Sequence, residues 1–247
     1  MAGAEELVLT AADGARFLAH GARTSVPDAP GVVVMPDVRG LHPFYRELAE
    51  RFAQAGVHAV AIDYFGRTAG TEPRDPVSFA FRPHVERTTP DGVAMDVGAA
   101  VAHLRSEAGG RAERVFTVGF CFGGRHSFNQ AARDHGLAGV IGFYGWPAPS
   151  GPDDRSAPEL LAPSYRCPVL GLFAGDDPGI PPADVDRFRR ALDAAGVGST
   201  ILIYEGAPHS FFDREADRFR AACEDAWRRI LAFLRGEDPA SLGPPPR

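Results

Sequence analysis

The chain has 247 residues, 45% of them hydrophobic and 23% charged, a composition typical of a globular protein with a sizeable core. Its formal net charge of -6 argues against nucleic acid and anionic membrane surfaces as partners, because both are negatively charged. The three cysteines are far apart in sequence, so we expect no disulfide framework and a cytoplasmic location.

Several other classes of protein are also excluded at this level. The N-terminus lacks a basic segment followed by an apolar one, and no apolar stretch reaches about 18 residues, so neither a signal peptide nor a membrane span is expected. The sequence has no CxxC pair, no HExxH motif and no Cys/His cluster, and we therefore predict no metal site and no cofactor.

The strands are predicted from short apolar runs. Two runs flank Asp13-Gly14, which favours a tight antiparallel hairpin at the N-terminus. Several later runs are apolar throughout, as expected for strands buried on both faces of a parallel sheet. The runs after the hairpin span 31–36, 58–65, 114–120, 139–145, 169–175 and 199–206.

Helical patterns alternate with these runs and favour an α/β fold, with a mainly parallel sheet and helices on both faces. Asp91 is a plausible N-cap for the second helix. The predicted helices span 43–56, 91–108, a segment after Gly123, 182–195 and 215–235. We predict one domain over 1–235, long loops over the site at 66–90 and 147–165, and a disordered tail at 236–247.

One short segment has the features of a nucleophile. Gly119 and Gly123 flank Cys121 at two residues on either side, between an apolar strand and a helical pattern. This Gly-x-nucleophile-x-Gly turn is the nucleophile elbow of α/β-hydrolases, and its strained backbone requires small flanking residues. Cys167 and Cys223 lack this setting, so we predict that Cys121 reacts and that the other two cysteines are structural.

An acid and a histidine are expected to follow such a nucleophile, in that order along the chain. Asp176 and Asp177 come at the end of a predicted strand, and His209 comes after the last one. Both groups should therefore lie at the sheet edge where the elbow projects. From the residues alone, either aspartate is able to orient the histidine.

The residues resemble the dienelactone hydrolase family from about Val32 to Leu234. A cysteine in the elbow, with two glycines after it, is the most diagnostic feature, since most other α/β-hydrolases carry serine there. The motifs that carry the resemblance are "PDVRG" (36–40), "DYFGR" (63–67), "GFCFGG" (119–124), "FYG" (143–145), "GDDPGIP" (175–181) and "GAPHSF" (206–211).

The resemblance implies a triad of Cys121, His209 and Asp177. It favours Asp177 over Asp176, because the acid of the family stands four residues before a proline, here Pro181. It implies hydrolysis of lactones or small activated esters through a thioester intermediate, without a cofactor.

The resemblance also assigns residues around the triad. It implies an oxyanion hole made by the backbone N–H groups of Val38 and Phe122. Asp37 stands where the family has a glutamate that helps to activate the thiol, and its side chain is one methylene shorter. Basic and aromatic residues that are candidates for the substrate pocket are Arg39, Tyr64, Arg82, Tyr144, Trp146 and Phe211.

One departure from the family concerns the substrate. Asp213 stands four residues after the histidine, where the family has an arginine that holds an anionic substrate. An acid there repels an anion. Two alternatives therefore stand beside the lactonase: a broader carboxylesterase or thioesterase with a neutral substrate, and a non-catalytic ligand-binding protein of the same fold. The predicted partner is a small ester or lactone, and the chain is expected to be a monomer or a homodimer.

Overall fold

A computed structural model describes residues 3–246 of the chain. Its eight strands form a mostly parallel sheet with helices between them, so the predicted α/β fold class is confirmed. The chain divides into two compact units, with the boundary between Val118 and Gly119. Within residues 3–246, none of the helices combines the length and the apolarity that a membrane crossing requires.

The first unit holds the N-terminal hairpin and the first parallel strands. Its elements are β1 (Gly3–Thr10), β2 (Arg16–Arg23), β3 (Gly31–Met35), α1 (Pro43–Gln54), β4 (His58–Ile62), α2 (Gly66–Ala69), α3 (Arg82–Arg87) and α4 (Pro90–Arg105). β2 pairs antiparallel with both β1 and β4, whereas β3 and β4 are parallel. Every residue of β3 and β4 is buried, which accounts for the apolar sequences of β3 and of β4 after His58.

The second unit holds the later parallel strands. The strand β5 (Val115–Phe120) crosses the boundary, and the elements after it are α5 (Phe122–Gln130), β6 (Gly139–Phe143), α6 (Pro158–Leu161), β7 (Val169–Asp176), α7 (Pro182–Ala194), β8 (Ser199–Pro208) and α8 (Arg220–Arg235). β7 pairs parallel with β6 on one side and with β8 on the other. Parallel strands place their carboxyl ends at one edge, so the segments after β6, β7 and β8 begin close together.

Two helix starts differ from the sequence prediction. The N-cap of α4 is Thr89, whose Oγ1 accepts a hydrogen bond from the Gly92 N–H at 3.1 Å, rather than Asp91. Pro90 occupies the first helical position because it has no N–H to be capped. α8 begins at Arg220 instead of near residue 215, since the residues between β8 and α8 form a series of turns.

The segments expected to be irregular contain short helices. α2 and α3 lie within 66–90, and α6 with a 3-10 turn (Ala162–Ser164) lies within 147–165. In the tail, Pro239–Leu242 form a 3-10 helix capped by Asp238. Arg229, on α8, donates hydrogen bonds to the backbone carbonyls of residues 239 and 243 and so holds this segment.

Candidate active site

Cys121 occupies the sharp turn between β5 and α5. Its φ of 55° and ψ of -113° are strained for a residue with a side chain. Its N–H donates to the carbonyl of Phe143 at 3.0 Å, and its own carbonyl accepts from the Arg125 N–H at 3.1 Å. These bonds to β6 and α5 hold the strained turn, as expected for a nucleophile elbow.

Glycines next to the turn allow backbone segments to approach closely. A Cβ atom on Gly119 would lie 2.0 Å from the carbonyl oxygen of Gly123, and one on Gly124 would lie 2.5 Å from the carbonyl oxygen of Phe143. Real Cβ atoms do not come this near to backbone oxygens, so no side chain fits at either position. The first and last glycines of the GxCxGG pattern therefore reflect a steric requirement of the turn.

Asp177 and His209 form a close pair just beyond the ends of β7 and β8. His209 Nδ1 donates to Asp177 Oδ2 at 2.5 Å, and Asp177 Oδ1 accepts from the Gly179 N–H at 2.9 Å. Asp177 is buried, whereas Asp176 is exposed at the last position of β7. The alternative between the two aspartates is thus resolved in favour of Asp177 as the partner of the histidine.

The second contact of His209 is the thiol of Cys121. Burial alone lowers the pKa of His209, but its hydrogen bonds to Asp177 and Cys121, together with their negative charges, raise the pKa to about 10. The imidazole is therefore protonated at neutral pH. A cation beside a thiol stabilises the thiolate, which is the nucleophilic form of cysteine. The three predicted residues are thus assembled in the second unit as a chain of hydrogen bonds.

Aromatic residues surround the histidine. The Tyr144 ring lies 4.8 Å from the His209 ring, centroid to centroid, and Tyr144 has a strained φ of 35° directly after β6. Phe211 is fully buried and packs edge-on against Tyr144 with centroids 5.7 Å apart. Trp146 is 42% exposed, although it is a large apolar residue. Of these three predicted pocket residues, Trp146 has the side chain most open to solvent.

Asp37 and Arg39, in the loop after β3, form an ion pair in the first unit. Arg39 Nε donates to both carboxylate oxygens of Asp37 at 3.0 Å, and Arg39 Nη2 lies 2.9 Å from Oδ2. The Asp37 carboxylate also accepts from the Arg39 N–H at 2.9 Å. The carboxylate expected to activate the thiol is thus bound by a neighbouring guanidinium.

The other predicted residues of the first unit differ in exposure. Tyr64 is buried, and its hydroxyl donates to the carbonyls of Pro36 and Asp37, so it supports the loop that contains Val38. Arg82 is exposed at the start of α3. The roles assigned to Val38 in the oxyanion hole and to Tyr64 and Arg82 in the pocket stay predictions.

Sequence analysis overlooked Arg125, four residues after the nucleophile. Its guanidinium donates to the carbonyl of Trp146 at 3.0 Å, to that of Ala148 at 2.8 Å and to Asp154 Oδ2 at 2.5 Å. The first turns of the elbow helix are an unusual place for an arginine, because they lie near the positive end of the helix dipole. From the sequence, this position near the helix N-terminus could have indicated that the Arg125 side chain pairs with a residue distant along the chain.

The remaining cysteines differ from Cys121. Burial raises the pKa of Cys167 to about 11, so this thiol stays protonated at neutral pH. Cys223, on α8, donates to the carbonyl of Phe211 at 3.3 Å. Among residues 3–246 there is no group of three His, Cys, Asp or Glu side chains that could hold a metal ion.

Comparison with known proteins gives the family. The family model described as "Dienelactone hydrolase family" matches residues 17–237, which is most of the chain. The chain belongs to the dienelactone hydrolase family. The resemblance inferred from the motifs is confirmed, and the chain is an ester or lactone hydrolase of the α/β-hydrolase fold.

Individual relatives cover nearly the whole chain. A protein of Escherichia coli K12, provisionally named carboxymethylenebutenolidase, is 30% identical over 90% of this chain and 83% of its own length. A Bradyrhizobium protein, provisionally named 2-oxo-3-(5-oxofuran-2-ylidene)propanoate lactonase, is 30% identical over 90% of each chain. A crystal structure from Klebsiella pneumoniae, provisionally described as dienelactone hydrolase, superposes with a TM-score of 0.79 at 29% identity and covers 95% of this chain and 99% of that chain.

Proposed function

We propose that this dienelactone hydrolase family member cleaves lactones or small activated esters through a Cys121–His209–Asp177 triad and a thioester intermediate. The observation that carries the proposal is the position of His209, which bonds to Asp177 at 2.5 Å and to the thiol of Cys121. Asp177 fixes the tautomer and orientation of the ring, and its second oxygen is held by the Gly179 N–H.

Acylation begins from the thiolate. Beside the protonated His209, Sγ attacks the substrate carbonyl to form a tetrahedral oxyanion. Phe122 is the first residue of α5, and the N–H groups of a first helical turn point out of the helix N-terminus, toward such an oxyanion. Val38 is the second proposed donor. The oxyanion collapses, the alkoxide or enolate leaves with the proton of His209, and an acyl thioester remains on Cys121.

In deacylation the same histidine acts as a base instead of an acid. His209, now neutral, removes a proton from water, and the resulting hydroxide attacks the thioester carbonyl. The thiolate leaves, and the acid product and the thiolate–imidazolium pair are restored. A thiolate is a good leaving group, which suits lactones and activated esters and disfavours amides.

The test compares hydrolysis of p-nitrophenyl acetate and of a dienelactone by wild type and Cys121→Ala. We expect kcat/KM to fall by about 10³-fold or more in Cys121→Ala, since a nucleophile is lost. The matched control is Cys223→Ala, which removes the half-buried thiol of α8 and should retain activity. In His209→Ala, intact mass should reveal one acetyl group on Cys121, because deacylation lacks its base. Undiminished turnover by Cys121→Ala would overturn the proposal.

A second candidate is a broader carboxylesterase with a neutral substrate. Asp213 favours it, because this half-buried acid lies four residues after the histidine and repels an anionic substrate. The two candidates differ in substrate preference and in the effect of Asp213→Asn. If the substrate is anionic, Asp213→Asn should lower its KM, whereas for a neutral ester KM should stay unchanged.

A further inference from the structure

A cavity of about 360 Å³ lies in the first unit, where β2 ends and β4 begins. Binding sites for small molecules have volumes of about 300–1,000 Å³, so this cavity is large enough for a small metabolite. Residues 24–28, in the loop between β2 and β3, form most of its wall. Gly3, Arg23, His58 and Gly110 complete it.

The cavity is separate from the loops after β3 and β4. His58 is the first residue of β4, whereas Asp37 and Tyr64 follow the last residues of β3 and β4. Four residue steps along a strand span about 13 Å, so these loops lie at the opposite ends of the two strands. All the lining residues lie between 3 and 110, and the proposed triad of the second unit takes no part.

The buried side chain of the wall is His58. Its Nδ1 accepts a hydrogen bond from the Thr24 N–H at 3.4 Å. Burial, together with the charge of Arg23, lowers the pKa of His58, so the ring is neutral at neutral pH and carries its proton on Nε2. Among residues 3–246, Nε2 has no acceptor. An oxygen atom of a ligand in the cavity would accept this hydrogen bond.

Gly110 leaves space for the His58 ring. A Cβ atom on Gly110 would lie 2.4 Å from Cε1 and 2.6 Å from Nε2 of the ring, and the φ of this glycine is +104°. No side chain fits there, and the backbone conformation also favours glycine. The imidazole is therefore held between the backbone of Gly110 and the N–H of Thr24.

Two opposite charges border the cavity without pairing. Arg23 is the last residue of β2, and Asp28 lies in the following loop with a φ of 53°. Among residues 3–246, neither side chain has a hydrogen bond or an ion pair, with the other or with a third residue. Opposite charges attract each other, so their separation across one cavity leaves a place for a ligand that carries both charges.

Hydroxyl groups and apolar surface complete the wall. Thr24 Oγ1 accepts from the Val26 N–H at 3.3 Å, so its own proton stays available for donation. The Ser25 hydroxyl has no partner among residues 3–246. Val26 is 50% exposed although it is apolar, and with Pro27 it offers a surface for methylene groups. Polar groups that fix orientation beside apolar surface are typical of small-molecule sites.

We propose that this cavity binds a small zwitterion, an amino acid, with its carboxylate at Arg23 and His58 and its ammonium group at Asp28. The planar fork of a guanidinium suits a carboxylate, and an ammonium group has three N–H donors for the oxygens of Asp28. A ligand with a single charge would leave either Arg23 or Asp28 without a partner. The inference is independent of the proposed triad.

The test is calorimetric titration with glycine and with 4-aminobutyrate at constant ionic strength. We expect a dissociation constant on the order of 1 mM for the amino acid whose charges have the better spacing. Butyrate and butylammonium, which each carry one charge, should bind at least about tenfold more weakly. Cys121→Ala should give the same constants as wild type, which keeps the result separate from the proposed hydrolysis.

Two variants assign the charges. Asp28→Asn should weaken binding of the amino acid at least about tenfold and let butyrate bind as tightly as 4-aminobutyrate. Arg23→Gln should weaken it similarly and let butylammonium bind as tightly as 4-aminobutyrate. Both side chains are exposed and without partners among residues 3–246, so the fold should tolerate the changes. The matched control is Arg16→Gln, at the other end of β2, which should bind as wild type does.

Two-dimensional NMR spectra locate the bound amino acid. The backbone amide signals of residues 24–28 and Gly110 should shift during the titration, whereas those of Asp37 and Tyr64 should not. Ser25→Phe fills the cavity while every charge stays, and it should abolish binding. Absence of saturable binding by both amino acids, unchanged binding in both charge variants, or shifts confined to the loops after β3 and β4 would overturn the proposal.

Discussion

At the scale of single residues, the strained Cys121 and the protonated His209 determine the chemistry. The backbone of Cys121 has a positive φ, and its N–H is held by β6. His209 carries a positive charge next to the thiol because its pKa is raised to about 10. Reactivity of the thiol should therefore depend on the histidine more than on the turn.

The first prediction concerns alkylation of the cysteines. Iodoacetamide at pH 7 should label Cys121 before Cys167, whose buried thiol stays protonated. In His209→Gln we expect labelling of Cys121 to slow by about tenfold, since an ordinary thiol is only a few per cent ionised at this pH. Peptide mass spectrometry over time gives the rate at each site. Equal rates in wild type and His209→Gln would contradict this reading of the site.

The second prediction concerns pH and stability. The folded pKa of His209, about 10, lies above the ordinary value of 6.5. A raised pKa means that the folded state holds the proton of His209 more tightly than the unfolded state does. The resulting contribution to the free energy of unfolding is fully present below about pH 6.5 and is lost as pH rises through 10. The difference in free energy of unfolding between wild type and His209→Gln should shrink over that interval. Urea unfolding at pH 6, 8 and 10 measures it, and a constant difference would refute it.

At the scale of elements, Arg125 connects the elbow helix α5 to the segment after β6. It holds the carbonyls of Trp146 and Ala148 and pairs with Asp154. Burial raises the pKa of Asp154, but hydrogen bonds from Ser150 and Ser156 outweigh it and hold the pKa well below its usual range. A lowered pKa keeps this ion pair intact from neutral pH down to strong acid.

The third prediction follows from this connection. Arg125→Met removes the guanidinium from Asp154 and leaves the carbonyls of Trp146 and Ala148 without this donor, so we expect a loss of about 1–3 kcal/mol in the free energy of unfolding. Trp146 should become mobile, and KM for esters should rise several-fold while kcat changes less. Steady-state kinetics and hydrogen exchange of residues 146–156 provide the measurements. Arg166 supplies the control, because it is exposed and pairs with the exposed Asp134; Arg166→Met should alter neither.

At the scale of the whole molecule, a buried ionic network supports the C-terminal part of the chain. Arg229 is fully buried, and its Nε donates to Asp225 Oδ2 at 2.6 Å. The Tyr204 hydroxyl, on β8, donates to the same oxygen at 3.0 Å. Arg229 also donates to the carbonyls of Pro239 and Gly243 at 2.6 and 2.7 Å. The network therefore joins β8, α8 and the last residues.

The fourth prediction uses neighbouring arginines of α8. Arg229→Met leaves Asp225 buried and largely unpaired, which should reduce the free energy of unfolding by about 3–5 kcal/mol. Arg228 contacts the same aspartate from an exposed position, so Arg228→Met should cost less than about 1 kcal/mol. Urea denaturation followed by circular dichroism compares the two. Similar losses would show that the network adds little to stability.

Sequence by itself determined the parts that depend on local geometry. The strained elbow next to Cys121 leaves no room for a side chain at Gly119 or Gly124, and Asp13-Gly14 form the turn between β1 and β2, so both are visible as short motifs. The apolar runs of β3 and of β4 after His58 likewise identify strands buried on both faces. The family was recognisable for the same reason, because its motifs occupy these turns and strand ends.

Tertiary structure decided which distant groups meet. Asp176 and Asp177 are adjacent and chemically alike, and only the placement of β7 beside β8 brings Asp177 to His209. Arg125 and Arg229 are ordinary charges in sequence. Arg125 acquires its role from partners 21 to 29 residues away, and Arg229 joins Asp225 on its own helix to carbonyls 10 and 14 residues away. Contacts between such distant residues depend on strand register and helix packing, which a single sequence does not encode within any short window.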